Sequence, residues 1–293
     1  MKLEFHDLCS NTNLTEKQLN QIVEIVAQDS IGLVNTIDDD GYSPVLLIAR
    51  NNQSGNLIRC IKHVLTAILM KGPNDKLLKL DVNYQDRNGY NILHYICRNY
   101  QDEDFLETFE LLIKCGIDLN KTEKALGNNA LQLLFRDNEG GDGVLKIVQA
   151  FIKNGIDLKH RNSDGFTALH YLCQCYSHDN LLEIAQLLIE NGVDVNAKDS
   201  YLGLLNALHY LCHYYPHDNL IKLVELFIQS GVDLTEKIGR SEGWTLLLLL
   251  CRCYTKDNLI EIGKLLVSTS LQKNQMGKVP PAASRLIDDV TYG

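Results

Sequence analysis

The chain has 293 residues, 45% hydrophobic and 22% charged, with 37 acidic against 28 basic side chains and a formal charge of -9. That is core material for one large domain or two ordinary ones, and the negative balance repels phosphate backbones, which argues against nucleic acid as the partner. The longest strictly apolar run, Leu246 to Cys251, falls far short of the roughly 18 residues of a membrane helix, and nine cysteines within apolar segments fit buried hydrophobes in a reducing compartment; the expectation is a soluble, unsecreted, cytoplasmic protein, with the nucleus also open.

The chain repeats itself. Segments starting near Met1, Gly41, Gly89, Gly127, Gly165, Gly203 and Gly243 share one pattern, and the four from Gly89 to Gly203 recur at an interval of 38 residues. The first copy carries His6 and Cys9 three apart and ends at Ser30 without a glycine; the second carries Leu46 and Ala49 in those slots and is lengthened by Gly72 to Lys79. In the third, His94 and Cys97 fill the slots, Asp104 with Glu107 reads as a capping box, and Gly116 stops the second helix. The fourth has Gln132 and Phe135, an inter-helix stretch Glu139-Gly140-Gly141-Asp142-Gly143, and a stop at Gly155.

The fifth copy is the clearest, reading GFTALHYLCQCYSHDNLLEIAQLLIENGVDVNAKDS from Gly165. Its pattern predicts a first helix over Ala168 to Cys175 and a second helix opened by Asn180 with Glu183. Leu181, Ile184, Leu187 and Leu188 are expected on the buried stripe, with the stop at Gly192. The sixth copy repeats this after a one-residue shift and stops at Gly231. The last holds Leu248 and Cys251 in the paired slots, Asn258 with Glu261 at the second helix, and Ser270 where the glycine would stand. Residues 273–293, with Pro280-Pro281, lack an amphipathic period and are expected to form a disordered tail.

A single helix pair has too small a core to fold alone, and stacking is the physical remedy. Thr167-Ala168-Leu169-His170, Leu187-Leu188-Ile189 and Gly192-Val193-Asp194-Val195-Asn196-Ala197 resemble the ankyrin repeat, in a variant longer than the usual repeat of about 33 residues. The surplus falls between the helices, at Tyr176 to Asn180. The resemblance implies an all-α solenoid of stacked helix-turn-helix units with hairpin-like finger loops. It covers residues 1–272 in about seven repeats and implies a structural role for the motif histidine, tying neighbouring repeats by hydrogen bonds.

Three features invite a chemical reading. The pairs His6/Cys9, His94/Cys97, His170/Cys173 and His209/Cys212 share a helix face and suggest metal ligation, but Leu46/Ala49, Gln132/Phe135 and Leu248/Cys251 take the same slots, which makes them packing positions. Cys175 and Cys253 are expected to be exposed thiols. The glycine-rich stretch at Glu139 lacks the lysine and hydroxyl of a phosphate loop, and no catalytic signature such as GxSxG or HExxH occurs, so no catalytic, cofactor or metal residues are assigned. Tyr100, Tyr176, Tyr215 and Tyr254 recur with the period and are expected to pack the lengthened loop rather than a ligand.

Binding residues are sought instead where copies differ at the exposed places an ankyrin array offers. At the finger tips the resemblance selects Arg87, Asn88, Tyr90, Ser163, Asp164, Phe166, Tyr201, Leu202, Leu204 and Trp244; at the first-helix ends it selects Arg98, Arg136, Gln174, His213 and Arg252. The function implied is a monomeric, non-enzymatic scaffold or adaptor that binds a protein through its concave face and finger loops. The alternatives are a metal- or redox-responsive protein using the His/Cys face, and a regulatory fragment of a larger enzyme.

Overall fold

A computed structural model describes residues 2–28, 32–51, 57–70, 80–99, 104–138, 141, 143–200, 205–234 and 245–275. Outside them lie Ser30, the insertion Gly72 to Lys79, Tyr100, most of the stretch at Glu139, the finger residues Tyr201, Leu202, Leu204 and Trp244, and all of the tail beyond Gln275.

The described residues hold fourteen α-helices and no strands. In chain order they alternate between first and second helices of a pair: α1 (Lys2–Cys9), α2 (Glu16–Gln28), α3 (Pro44–Asn51), α4 (Leu57–Met70), α5 (Ile92–Arg98), α6 (Phe105–Lys114), α7 (Ala130–Asp137), α8 (Val144–Lys153), α9 (Ala168–Cys175), α10 (Leu181–Glu190), α11 (Ala207–Tyr214), α12 (Leu220–Gln229), α13 (Leu246–Cys253) and α14 (Leu259–Gln275). They fall into two compact units, residues 1–160 and 161–293. In the first unit α1, α3, α5 and α7 lie side by side, as do α2, α4, α6 and α8; in the second unit α9, α11 and α13 form one row and α10, α12 and α14 the other.

The first helices are too short to stand alone and are held by burial on nearly every side. All of Ile92 to Cys97, Ala130 to Phe135, Ala168 to Cys173 and Ala207 to Cys212 is buried. The second helices bury one stripe, which in α10 is Leu181, Ile184, Ala185 and Leu188. Leu187 departs from its expected place in that stripe and is half-buried, because Ala185 and Leu188 already complete the 3.6-residue face.

Stops follow the glycines. Gly192 has φ +92° and nothing within 4 Å of where a Cβ would stand, so the left-handed backbone alone demands glycine. Gly165, at φ +78°, is crowded as well: a Cβ would meet the Lys198 carbonyl at 2.9 Å and the Ser200 amide at 3.1 Å. At Ser270 no glycine interrupts the helix, its hydroxyl bonds back to the Leu266 carbonyl at 2.8 Å, and α14 runs on to Gln275.

The expected capping boxes on the second helices are not formed. Asn180 stands at the N-cap of α10 but in a turn conformation (φ -83°, ψ 8°), and its side-chain oxygen accepts the Tyr176 hydroxyl at 2.6 Å. Asn258 likewise accepts from Tyr254 at 2.8 Å, and the carboxylate of Asp104, at φ +63°, accepts from Lys62 at 3.0 Å. The reciprocal caps sit on the first helices, as Asn91 with His94, Asn129 with Gln132, Thr167 with His170 and Asn206 with His209.

Candidate functional site

The motif histidines are built into the backbone. The Asn91 amide donates to Nδ1 of His94 at 3.0 Å, the His94 amide donates to the Asn91 side-chain oxygen at 3.0 Å, and Nε2 of His94 reaches the Lys121 carbonyl of the following finger at 3.0 Å. Because Nδ1 accepts, the ring proton is on Nε2 and is donated to that carbonyl. His170 repeats the arrangement with the Thr167 amide at 3.1 Å and the Leu205 carbonyl at 3.3 Å, and His6 reaches the Thr36 carbonyl at 3.1 Å. Burial lowers the pKa of His94, His170 and His209 to about 4, against the pull of the carbonyls and nearby carboxylates, so these rings are neutral at pH 7.

The cysteines three residues on are packing groups. Cys9, Cys97, Cys173 and Cys212 are buried, as are Ala49 and Phe135 in the same slot, and burial pushes the Cys212 thiol up to about 12. The last copy departs: Leu248 is 39% exposed and Cys251 is exposed. Cys175 and Cys253 are half-buried rather than exposed, and Cys253 Sγ lies 3.0 Å from Nδ1 of His213. Among the described residues no group of three or more His, Cys, Asp or Glu side chains is placed to hold a metal ion.

Two fingers turn on a buried acceptor. Asp86 accepts the amides of Asn88 and Tyr90 at 2.8 and 3.0 Å, and Asn162 those of Asp164 and Phe166 at 3.0 and 2.8 Å. A first-helix tyrosine meets each of these side chains: the Tyr95 hydroxyl donates to Asp86 and that of Tyr210 to Asp199, whereas Asn162 donates from Nδ2 to the Tyr171 hydroxyl at 3.0 Å. Burial, followed by the hydrogen bond to its aspartate, raises the pKa of Tyr95 and of Tyr210, which keeps each phenol protonated as a donor. At Glu123 burial pushes the carboxyl up, but the amides of Asn128, Leu126 and Ala125 and the Asn128 side chain outweigh it and hold the pKa below its usual value. These acceptor and tyrosine pairs escaped the sequence reading, although tyrosine nine residues after Asp86 and Asn162 is a signal for them.

Of the candidate binding residues in the first unit, Arg87 and Asn88 are exposed at a finger tip, where the Arg87 guanidinium donates to the Asp39 carbonyl of the neighbouring finger. Tyr90 is half-buried, and the Arg98 guanidinium lies 5.9 Å from its ring centroid. Arg98, with half its side chain exposed, and Arg136 share one carboxylate: Asp137 is 3.6 Å from Arg98 Nε and takes Arg136 in two bonds of 2.7 and 2.9 Å. Arg50, which the sequence reading did not select, lies 4.4 Å from the centroid of Tyr42. The spacing of eight residues from Tyr42 to Arg50 and from Tyr90 to Arg98 is the signal that would have found it.

In the second unit Ser163 is exposed, Asp164 half-buried, Gln174 half-buried, and His213 and Arg252 exposed. Phe166 is a correction: it is 5% exposed and packs against Tyr171, Tyr210 and His170 at centroid distances of 5.0, 5.1 and 5.2 Å, so it closes the finger base and presents nothing outward.

Helix pairs stacked in two rows, joined by fingers and tied through a capping histidine, define a helical repeat protein. A family model described as ankyrin repeats (3 copies) matches residues 101–199, and the chain carries ankyrin repeats over that stretch; such repeats are generally protein–protein interaction modules. The comparison with curated proteins gave no match. Among the described residues no helix is long and apolar enough to cross a membrane.

Proposed function

We propose that the chain is a non-enzymatic scaffold or adaptor whose repeat array spans residues 1–272 and meets a protein partner through its first-helix ends and finger tips. One observation carries this reading. In α5, α7, α9 and α11 the first six residues are all buried, and the seventh emerges and changes from copy to copy, as Arg98, Arg136, Gln174 and His213. Buried constancy serves stacking, whereas an emergent, varied position has no such task and is free for recognition. Arginine at such places is a type that dominates interface energetics. Affinity capture on the full chain, with the partner identified by mass spectrometry and reassayed against Arg98→Ala and Arg252→Ala, tests it; capture unaffected by both variants would overturn it.

A second reading, a redox-responsive protein, draws on the 3.0 Å contact between Cys253 and His213, since an adjacent imidazole can take the thiol proton. Alkylation rates of Cys253 compared in the parent and in His213→Ala test it, and equal rates remove it.

A further inference from the structure

In the first unit the ends of α3, α5 and α7 carry arginine at one repeated position, the seventh of each helix: Arg50, Arg98 and Arg136. Cations complement the partial negative charge of a helix C-terminus, which accounts for one arginine at a helix end. It does not account for two of them lying over an aromatic ring from their own finger, Arg50 over Tyr42 and Arg98 over Tyr90. A guanidinium placed over a ring loses flexibility while its N–H edge stays available to a planar acceptor. The row already engages that chemistry once, because Asp137 is held by both Arg98 and Arg136. Arg50 is exposed and has no carboxylate partner among the described residues, and half of the Arg98 side chain faces water.

We infer that Arg50, Arg98 and Arg136 form a row that takes an extended acidic segment of a protein partner. The inference rests on the reading of the chain as a protein-binding module and names the chemistry of what it binds. Helices packed side by side stand about 8–10 Å apart, and an extended chain rises about 3.3 Å per residue, so carboxylates at every third residue match the row. A nucleic acid would bring a continuous run of phosphates against a chain of net charge -9, a long-range repulsion that a short acidic segment minimises.

The test is fluorescence anisotropy on the full chain with a labelled twelve-residue peptide of repeating Glu-Ala-Ser, its Gln-Ala-Ser counterpart, and a single-stranded oligonucleotide of equal charge. The glutamate peptide should bind saturably and weaken with added salt, and the glutamine peptide should bind at least about tenfold less tightly. Arg50→Gln and Arg98→Gln should each cost about tenfold. Asp137→Asn, which removes the internal competitor, should tighten binding. Arg59→Gln, whose side chain pairs with Glu16 at 3.1 Å between α4 and α2, should change nothing. No saturable binding up to about 1 mM, indifference to Arg50→Gln, or equal binding of the glutamine peptide overturns the inference, and tighter binding of the oligonucleotide through the same arginines assigns the row to nucleic acid instead. Should the peptide fail while a captured partner still depends on Arg98, only the acidic ligand falls. A partner indifferent to every surface variant removes the binding-module reading itself.

Discussion

Asn91 and His94 cap each other: each gives its backbone amide to the other's side chain at 3.0 Å. The imidazole does what glutamate or glutamine does in an ordinary capping box, and its second nitrogen reaches the next finger. Only the neutral ring can accept at Nδ1 and donate at Nε2, so protonation breaks the cap.

That fixes a pH dependence. In the folded chain His94, His170 and His209 have pKa values lowered to about 4, against an ordinary value of 6.5. The unfolded chain therefore takes up protons below about pH 6.5 and the folded chain does not until about pH 4, so stability is full above pH 6.5 and falls as pH drops through this window. Each ring contributes on the order of 3 kcal/mol across it. Glu123, with its pKa held below 4.5, loses its contribution only at the acid end, so the interval from pH 6.5 to 5 isolates the histidines. Urea denaturation across that interval should show the fall. His170→Gln should keep the fold, since Gln132 already caps α7 in the same way, and should flatten the slope by one histidine.

Gly192 and Gly165 should respond differently to alanine. At Gly192 a Cβ meets nothing, so Gly192→Ala costs only the left-handed backbone, about 1 kcal/mol, and Gly192→Val costs more. At Gly165 the same change adds a collision with the Lys198 carbonyl and the Ser200 amide, and the loss should exceed that at Gly192. Urea midpoints compare them, and equal losses would contradict the packing of this finger.

The lengthened inter-helix loop depends on its tyrosine. Tyr254 is buried and its hydroxyl donates to Asn258 at 2.8 Å and approaches the His217 carbonyl of the preceding loop at 3.0 Å, a geometry shared in part by Tyr176 and Tyr215. Tyr254→Phe removes only the hydroxyl and should cost about 1 kcal/mol, with the helical circular dichroism unchanged. A loss near zero would mean that water replaces the bridge.

The repeat, the bounds of α9 and the stop glycines were legible because each rests on local chemistry, a hydrophobic period and a backbone angle that only glycine takes readily. The caps were misplaced because Asn180 and Glu183 match the capping pattern, whereas the partner that captures Asn180 is Tyr176, four residues earlier. Histidine in the role of Glu or Gln carries no such signature. Phe166 looked like a finger-tip residue by position, and only the packing of Tyr171 and Tyr210 around it shows its burial. Arg50 was legible as well, since it follows Ala49 as Arg98 follows Cys97 and stands eight residues after Tyr42 as Arg98 stands after Tyr90; what the sequence does not carry is the stacking of each guanidinium over that tyrosine ring.

The division between stacking and recognition can be measured on one set of samples. Leu188 is fully buried in the stripe of α10, and Leu188→Ala should cost ~2 to 5 kcal/mol of stability through lost burial and a cavity. Arg98 and Arg252 emerge at first-helix ends, where truncation leaves the stacked core untouched and should shift stability by no more than about 0.5 kcal/mol. Removing an arginine anchor from an interface costs ~2 kcal/mol or more, which is roughly thirtyfold in affinity. Leu188→Ala should thus lower the urea midpoint while partner affinity per folded molecule stays the same, and Arg98→Ala should do the reverse. If Leu188→Ala and Arg98→Ala both weaken capture in proportion to lost stability, the arginine acts through the fold and the first-helix ends are not the contact surface. If neither Arg98→Ala nor Arg252→Ala changes capture but removal of residues 276–293 abolishes it, recognition belongs to the C-terminal segment.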